Sequence, residues 1–280
     1  MNNNKKCYLY IYSLLIMLFV SNSMISQTYE AGVFVGGSIF HGDIGYNNAE
    51  YAVLNTQPVA GVQFKRNLNH HFSINLSVYK GNLYADDSYS SDIFSLERNL
   101  HFKSKITELG LITEFNFRPY LSRDSEYNHT PFIFSGITKF FFNPQAQHSD
   151  GNWYSLRPLG TEGQGSDEEP SRALYELDGI SIPFGIGYKF NIYEFITLNF
   201  NIGWRITFTD YIDDVSKTYV NESNFNQLAN ELANQSETEF PHGFQRGNPY
   251  NNDKYGFFGL SIIYSIKDPA KGCSNMTVNE

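Results

Sequence analysis

Glu108 and Glu114 stand an even number of residues apart in a stretch that otherwise alternates apolar and neutral residues. On an extended chain, even spacing puts both carboxylates on one face. Two carboxylates on one face can share acid and base roles in catalysis, or they can be neutralised by basic side chains brought opposite them. Lys139, Lys189 and Arg205 lie on segments of similar alternation. They are expected to share the inner face with Glu108 and Glu114 and to form a lumen charge network, because unpaired charges in a narrow interior are costly.

Signatures of covalent or metal catalysis are missing. There is no G-x-S-x-G elbow and no H-E-x-x-H helix, so no catalytic residue, cofactor or metal is expected and the chain reads as a non-enzyme. His41, His148 and His242 with nearby serines leave a lipid-modifying enzyme as the minor reading. His70 and His71 lack the cysteine partners and spacing of a zinc site. Gly160, Gly163 and Gly165 lie in a long loop, where they read as turn residues and not as a phosphate cradle. Asp210, Asp213 and Asp214 offer oxygens to a hard cation but lack calcium-loop spacing, so a hydrated acidic rim is expected.

The elements that must position these groups are strands. Ile196, Leu198, Phe200, Ile202, Trp204, Ile206 and Phe208 alternate with Thr197, Asn199, Asn201, Gly203, Arg205, Thr207 and Thr209, a period of two. Phe72 to Tyr79 and Ile180 to Phe190 behave alike. Weaker candidates are Tyr29 to Phe40, Pro58 to Arg66, Leu100 to Arg118, Pro131 to Phe142 and Lys254 to Ile266. Short links at Asn67 to His70 and Asn191 to Glu194, with a medium one at Ser122 to Thr130, alternate with four long polar stretches. Those are His41 to Gln57, Leu83 to Asn99, Asn143 to Gly179 and Asp210 to Asp253. The pattern predicts an all-β fold: one eight-stranded antiparallel transmembrane β-barrel with short periplasmic turns and long extracellular loops.

The chain opens with Lys5 and Lys6, an apolar run from Tyr8 to Val20, and small residues at Ser21, Ser23 and Ser26. This reads as a cleaved signal peptide over 1–26, since the run falls short of the roughly 20 residues of a spanning helix. Residues 27–266 then form the barrel and 267–280 a short polar periplasmic tail. Without the leader only Cys273 remains, so no internal disulfide forms. The 280 residues carry a formal charge of −9, which disfavours nucleic acid as a partner. Aromatic residues make up 16% while mean hydropathy is only −0.37, as expected where lipid-facing and lumen-facing residues cancel in any average. The expected location is the bacterial outer membrane, with its lipid as one partner.

Several segments together carry a family resemblance. They include Tyr29 to Gly37 with Gly42-Asp43-Ile44-Gly45, Glu108-Leu109-Gly110-Leu111, Glu114-Phe115-Asn116-Phe117, Tyr120, Thr130 to Gly136 and Pro183 to Gly187. More specific are Phe141-Phe142-Asn143-Pro144, the run Trp153 to Gly165 with Arg157 and Glu162, Phe208 to Ser216, and Gln245-Arg246-Gly247-Asn248. With these the chain resembles the PorG-like outer-membrane β-barrel proteins associated with the type IX secretion system. The resemblance implies a non-enzymatic component that anchors the periplasmic ring proteins of that system to the outer membrane. It assigns no residue-level binding site, so Trp153, Arg157, Glu162, Asp210, Asp213 and Asp214 stand as a candidate loop motif. That motif either folds against the barrel mouth or docks a partner. The alternative function is a stand-alone receptor or adhesin acting through its long loops. The sequence does not give the oligomeric state.

Overall fold

Alternation with one greasy face favours strands whose apolar edges all point one way, and the computed structural model closes them on themselves. It describes residues 28–45, 55–120, 128–167, 169–221 and 227–266. The expected signal peptide and the 267–280 tail lie outside these residues.

Eight strands form the wall: β1 (Thr28–His41), β2 (Gln57–Asn67), β3 (Phe72–Asp86), β4 (His101–Asn116), β5 (His129–Phe141), β8 (Asp178–Tyr193), β9 (Ile196–Thr207) and β10 (Lys254–Ile266). Each pairs antiparallel with the next, and β1 pairs with β10 from Tyr29–Ile266 to His41–Lys254, which seals the barrel without a free edge. Between β5 and β8 the short strands β6 (Pro144–Gln147) and β7 (Trp153–Ser155) form a hairpin that adds to the upper part of β4. Two short helices, α1 (Ile93–Arg98) and α2 (Gln227–Ala233), sit in the long loops. Among the described residues no helix is long and apolar enough to cross a membrane.

The apolar face of every strand looks outward. Along β8, Ile180, Ile182, Phe184, Ile186, Tyr188 and Phe190 are all exposed, while Ser181 and Lys189 between them are buried. Val33, Val62, Leu76, Leu111, Ile137, Phe200 and Ile262 continue this belt around the barrel. At the short-turn rim Tyr29, Phe72, Phe117, Tyr193, Phe195 and Tyr264 form an exposed aromatic girdle. An apolar band bordered by aromatic rings is the surface a bilayer requires.

Three expected boundaries shift. β3 runs on to Asp86, so Leu83 to Asp86 is wall and not loop. There Leu83 and Ala85 still point inward, but the outward positions Lys80 and Tyr84 are no longer aliphatic and the contrast that marks a strand fades. β8 starts at Asp178 and ends at Tyr193, with a bulge between Asn191 and Tyr193 that shortens the turn to β9. The stretch Asn143 to Gly179 contains the β6–β7 hairpin.

Candidate functional site

The interior is filled from both polar and aromatic side. Toward the short turns, Glu114 Oε2 accepts from Lys65 Nζ and Lys189 Nζ, each at 2.8 Å, while Asn75 donates to Oε1 at 3.3 Å. The Lys189 ammonium also lies 4.5 Å from the Phe132 ring centre and 5.1 Å from that of Tyr120. Toward the loops, Arg205 grips Glu108 with both Nε (2.9 Å) and Nη2 (3.0 Å), and Tyr255 adds its hydroxyl at 2.7 Å. Two-point guanidinium–carboxylate contact is the strong form of such a pair. All these charged groups are buried.

Aromatic rings fill what the charges leave. Phe132 and Phe134 of β5 cross to β8 and β9, and a Cβ at Gly187 would stand 2.3 Å from the Phe132 ring. Gly187 is therefore a notch that admits the ring. The cavity remaining between the two charge clusters measures about 20 Å³, room for about one water. Gln63 Nε2, Asn75 Oδ1 and Asn199 Oδ1, from residues that line it, lack hydrogen-bond partners.

Of the expected network, the structure brings Glu108 to Arg205 and Glu114 to Lys189 inside the barrel. Lys139 is corrected. It points outward, is paired with Asp178 at the outer rim, and has a side chain 43% exposed. The reason is strand parity: on β5 the even positions Phe132, Thr138 and Phe140 are the buried set, so the odd-numbered Lys139 must face out. Lys65 was missed, although its alternation with the outward Val62 and Phe64 placed it inside.

Above the lumen the long loops fold over the barrel mouth around two buried arginines. Arg246 Nη1 donates to Glu162 Oε1 at 3.2 Å and to the Asp214 carbonyl at 2.8 Å, and its Nε donates to the Ala233 carbonyl at 3.2 Å. Arg98 binds the Asp87 carboxylate through Nε and Nη2 at 2.8 and 2.9 Å, and its Nη1 donates to the Arg246 carbonyl. Glu162 Oε1 also accepts from the amides of Ser216 and Lys217, both at 2.9 Å. Asp214 accepts from the hydroxyls of Thr161 and, at 2.5 Å, Tyr175. Gly160, Gly163 and Gly165 all have positive φ, of 61°, 79° and 76°, which is why the turn carrying Glu162 is glycine-rich.

The candidate loop motif is thus partly assembled. Glu162, Asp213 and Asp214 are fully buried in this cap, and Asp210 is 8% exposed. Asp213 holds the amides of Ile44 and Val215, each at 3.0 Å. Arg157 is half-buried and stands apart, donating to the Tyr175 carbonyl. Trp153 lies on the hairpin wall with the Lys103 ammonium 3.9 Å from its ring centre. The expected acidic rim is a buried one. Burial pushes Asp210 up to about 8 and Asp214 up to about 6, Arg246 opposing the shift at Asp214. Asp213 and Asp253 are raised by burial and by neighbouring carboxylates. Asp43, Arg98 and Arg246 were not singled out as cap residues by sequence reasoning, because their roles depend on contacts between distant loops.

A family model described as Domain of unknown function (DUF6089) matches residues 9–155, just over half of the chain. No curated protein matches. Among solved structures the chain is similar to Ail, the attachment invasion locus protein of Yersinia pestis, at 8% identity, covering 86% of this chain and 100% of that one with a TM-score of 0.41. It is similar to Neisserial surface protein A at 6% identity, covering 86% and 100% with a TM-score of 0.42. A third likeness is to the outer membrane protein OprG from Pseudomonas aeruginosa, at 11% identity, covering 85% and 95% with a TM-score of 0.40.

Proposed function

We propose, given that the chain belongs to the family of the Domain of unknown function (DUF6089), that this protein is a non-enzymatic barrel of the bacterial outer membrane. It acts through its two end surfaces and not through its lumen, as a structural component that anchors the periplasmic ring of the type IX secretion system. The observation that supports the reading is the filled interior. Glu108–Arg205 and Lys65–Glu114–Lys189 are paired with one another and packed between aromatic rings, and the space left between the two clusters is a cavity of about 20 Å³. The outward apolar belt supports residence in a bilayer. The secretion role draws on the resemblance in the loop motifs.

The test is affinity capture of the tagged protein from gently solubilised outer membranes, with identification of what accompanies it and an assay of secreted cargo in a deletion strain. Recovery of periplasmic ring components together with lost secretion is the expected result. Recovery of the barrel alone with secretion intact sinks the anchoring role and moves the function to the outer cap, as a receptor or adhesin.

A further inference from the structure

Neither the filled lumen nor the cap uses the lysines on the outer side of the wall. Lys80 of β3 and Lys105 of β4 are exposed, and Lys103 of β4 is half-buried. All three take outward positions. Lys80 continues the exposed row Leu76 and Val78, and Lys103 and Lys105 share the row of the exposed Leu109 and Leu111, because alternate residues of a strand lie on one face. On β5, Lys139 continues the exposed Ile133 and Ile137 in the same way.

Register brings these cations together. Lys80 stands opposite Thr107 and Asn82 opposite Lys105, so Lys80 and Lys105 are diagonal neighbours, about 7–8 Å apart at the backbone. Lys103 is the next outward residue beyond Lys105, with its ammonium over the Trp153 ring. On the other flank of β4, Lys139 stands opposite Leu109. Asp178 neutralises Lys139, and Asp86 accepts the Tyr84 hydroxyl at 2.9 Å. Among the described residues no carboxylate forms an ion pair with Lys80, Lys103 or Lys105. In a chain of formal charge −9, three like charges thus share one patch, and they repel one another until an anion stands among them. The patch is one-sided. The matching end of β2 presents Pro58 and Ala60, that of β9 presents Ile206 and Phe208, and that of β10 presents the one cation Lys254.

Depth decides what the anion is. The stretch of β3 from Phe72 in the aromatic girdle to Lys80 matches the roughly 9–11 residues of one tilted crossing. Lys80 therefore lies where the apolar belt meets the headgroups on the loop side, with Lys105 and Lys103 rising above it and the exposed Val78, Leu109 and Ile137 directly below. A cluster of cations over an apolar wall fits an amphiphile with an anionic head. We propose that Lys80, Lys103 and Lys105 form a headgroup site for a phosphate-bearing lipid of the outer leaflet, whose acyl chains lie along Val78, Leu109 and Ile137. Lysine binds phosphate as a point charge, and its apolar stem lets it sit at a membrane surface with the ammonium in the headgroups. Trp153, which closes the upper edge of the patch against Lys103, is an interfacial ring of the kind found at this depth. The site rests on the reading of the chain as an outer-membrane barrel with its long loops outside, and not on the secretion role.

The experiment inserts the full chain into phosphatidylcholine vesicles, checks insertion by protease protection of the wall, and then titrates the protein in micelles with diphosphoryl lipid A, counting bound lipid by native mass spectrometry. A saturable lipid adduct is expected. The double variant Lys80→Gln/Lys105→Gln should weaken it about tenfold or more, since each lysine near a charged membrane surface contributes about fivefold, while Lys254→Gln should leave it unchanged. The same lipid stripped of its phosphates should bind as weakly to the wild type as the intact lipid does to the double variant. Equal binding by wild type and double variant overturns the site, as does equal binding of the lipid with and without phosphates. Displacement of the lipid by millimolar inorganic phosphate also overturns it, because the patch would then hold a free anion and not a lipid. A wild-type chain that inserts but gives any of these results fails the site alone; one that does not insert fails the membrane reading and the site with it.

Discussion

Arg205 and Lys139 were expected to do the same work, and one position of parity separates them. Arg205 sits on an inward position of β9 with its guanidinium on Glu108 and 4.2 Å from the Phe257 ring centre. Lys139 sits on an outward position of β5 and reaches a half-exposed Asp178. Removing Arg205 leaves Glu108 ionised, buried and without its countercharge, so Arg205→Ala should cost about 3–5 kcal/mol. Lys139→Ala breaks a solvent-screened pair and should cost about 0–1 kcal/mol. Urea unfolding of both variants, refolded in micelles, checks the contrast; similar losses for the two would mean the lumen network is not what holds the wall. Residue chemistry alone could not have separated the two, because both are basic side chains on alternating segments. The signal was in β5 itself, where Phe132, Phe134 and Phe140 compete for the inside and exclude a lysine from it.

At the scale of elements, the strands are set by the contrast between lipid and lumen, and the cap is set by buried charge. The cap loops have no period to read. α1 and α2 are short, and what fixes them is the pair Arg98 and Arg246 bonding across sequence distances that no local pattern records, while the β6–β7 hairpin is held by pairing with β4. That construction makes the cap sensitive to pH. Asp210 and Asp214 have folded-state values of about 8 and about 6, above the ordinary carboxylate value of 3.8. The folded cap therefore binds more protons than the unfolded loops, and the stability these groups contribute is present in full below the ordinary value. It is lost as pH rises through about 6 and then about 8. Raising the pH from about 5 to about 9 should reduce hydrogen-exchange protection of the Ile212 and Val215 amides, which bond to Asp253 and Asp213, after correction for intrinsic exchange. Amides of β9 between Leu198 and Gly203 should not respond. Cap protection that is flat over this window would show that burial does not set these carboxyl groups.

The whole molecule is a closed wall around a solid interior. An eight-stranded barrel is just wide enough for side chains to fill it, and here the residue types do fill it, down to a cavity of about 20 Å³. Purified protein in a planar bilayer should give no large, stable conductance; steady open-channel currents would mean the lumen side chains do not stay where the structure has them. Length adds to the picture. β4 and β8 are 16 residues each, against the roughly 9–11 that a tilted strand needs to cross. The wall thus rises past the apolar belt into the cap, and β3, β4, β6 and β7 carry the loops on a raised rim.

The sequence by itself determined the strand count, the apolar belt and the inward place of Glu108, Glu114, Lys189 and Arg205. Each of these follows from a period of two, which a strand expresses locally whatever it pairs with. Only the tertiary structure decided the partners: Lys65 joining Lys189 on Glu114, Lys139 turned out to Asp178, and Asp43 brought to Asp213 and Asp253. Register and loop closure set these, and both arise when strands far apart in the chain come together, so no window of residues contains them.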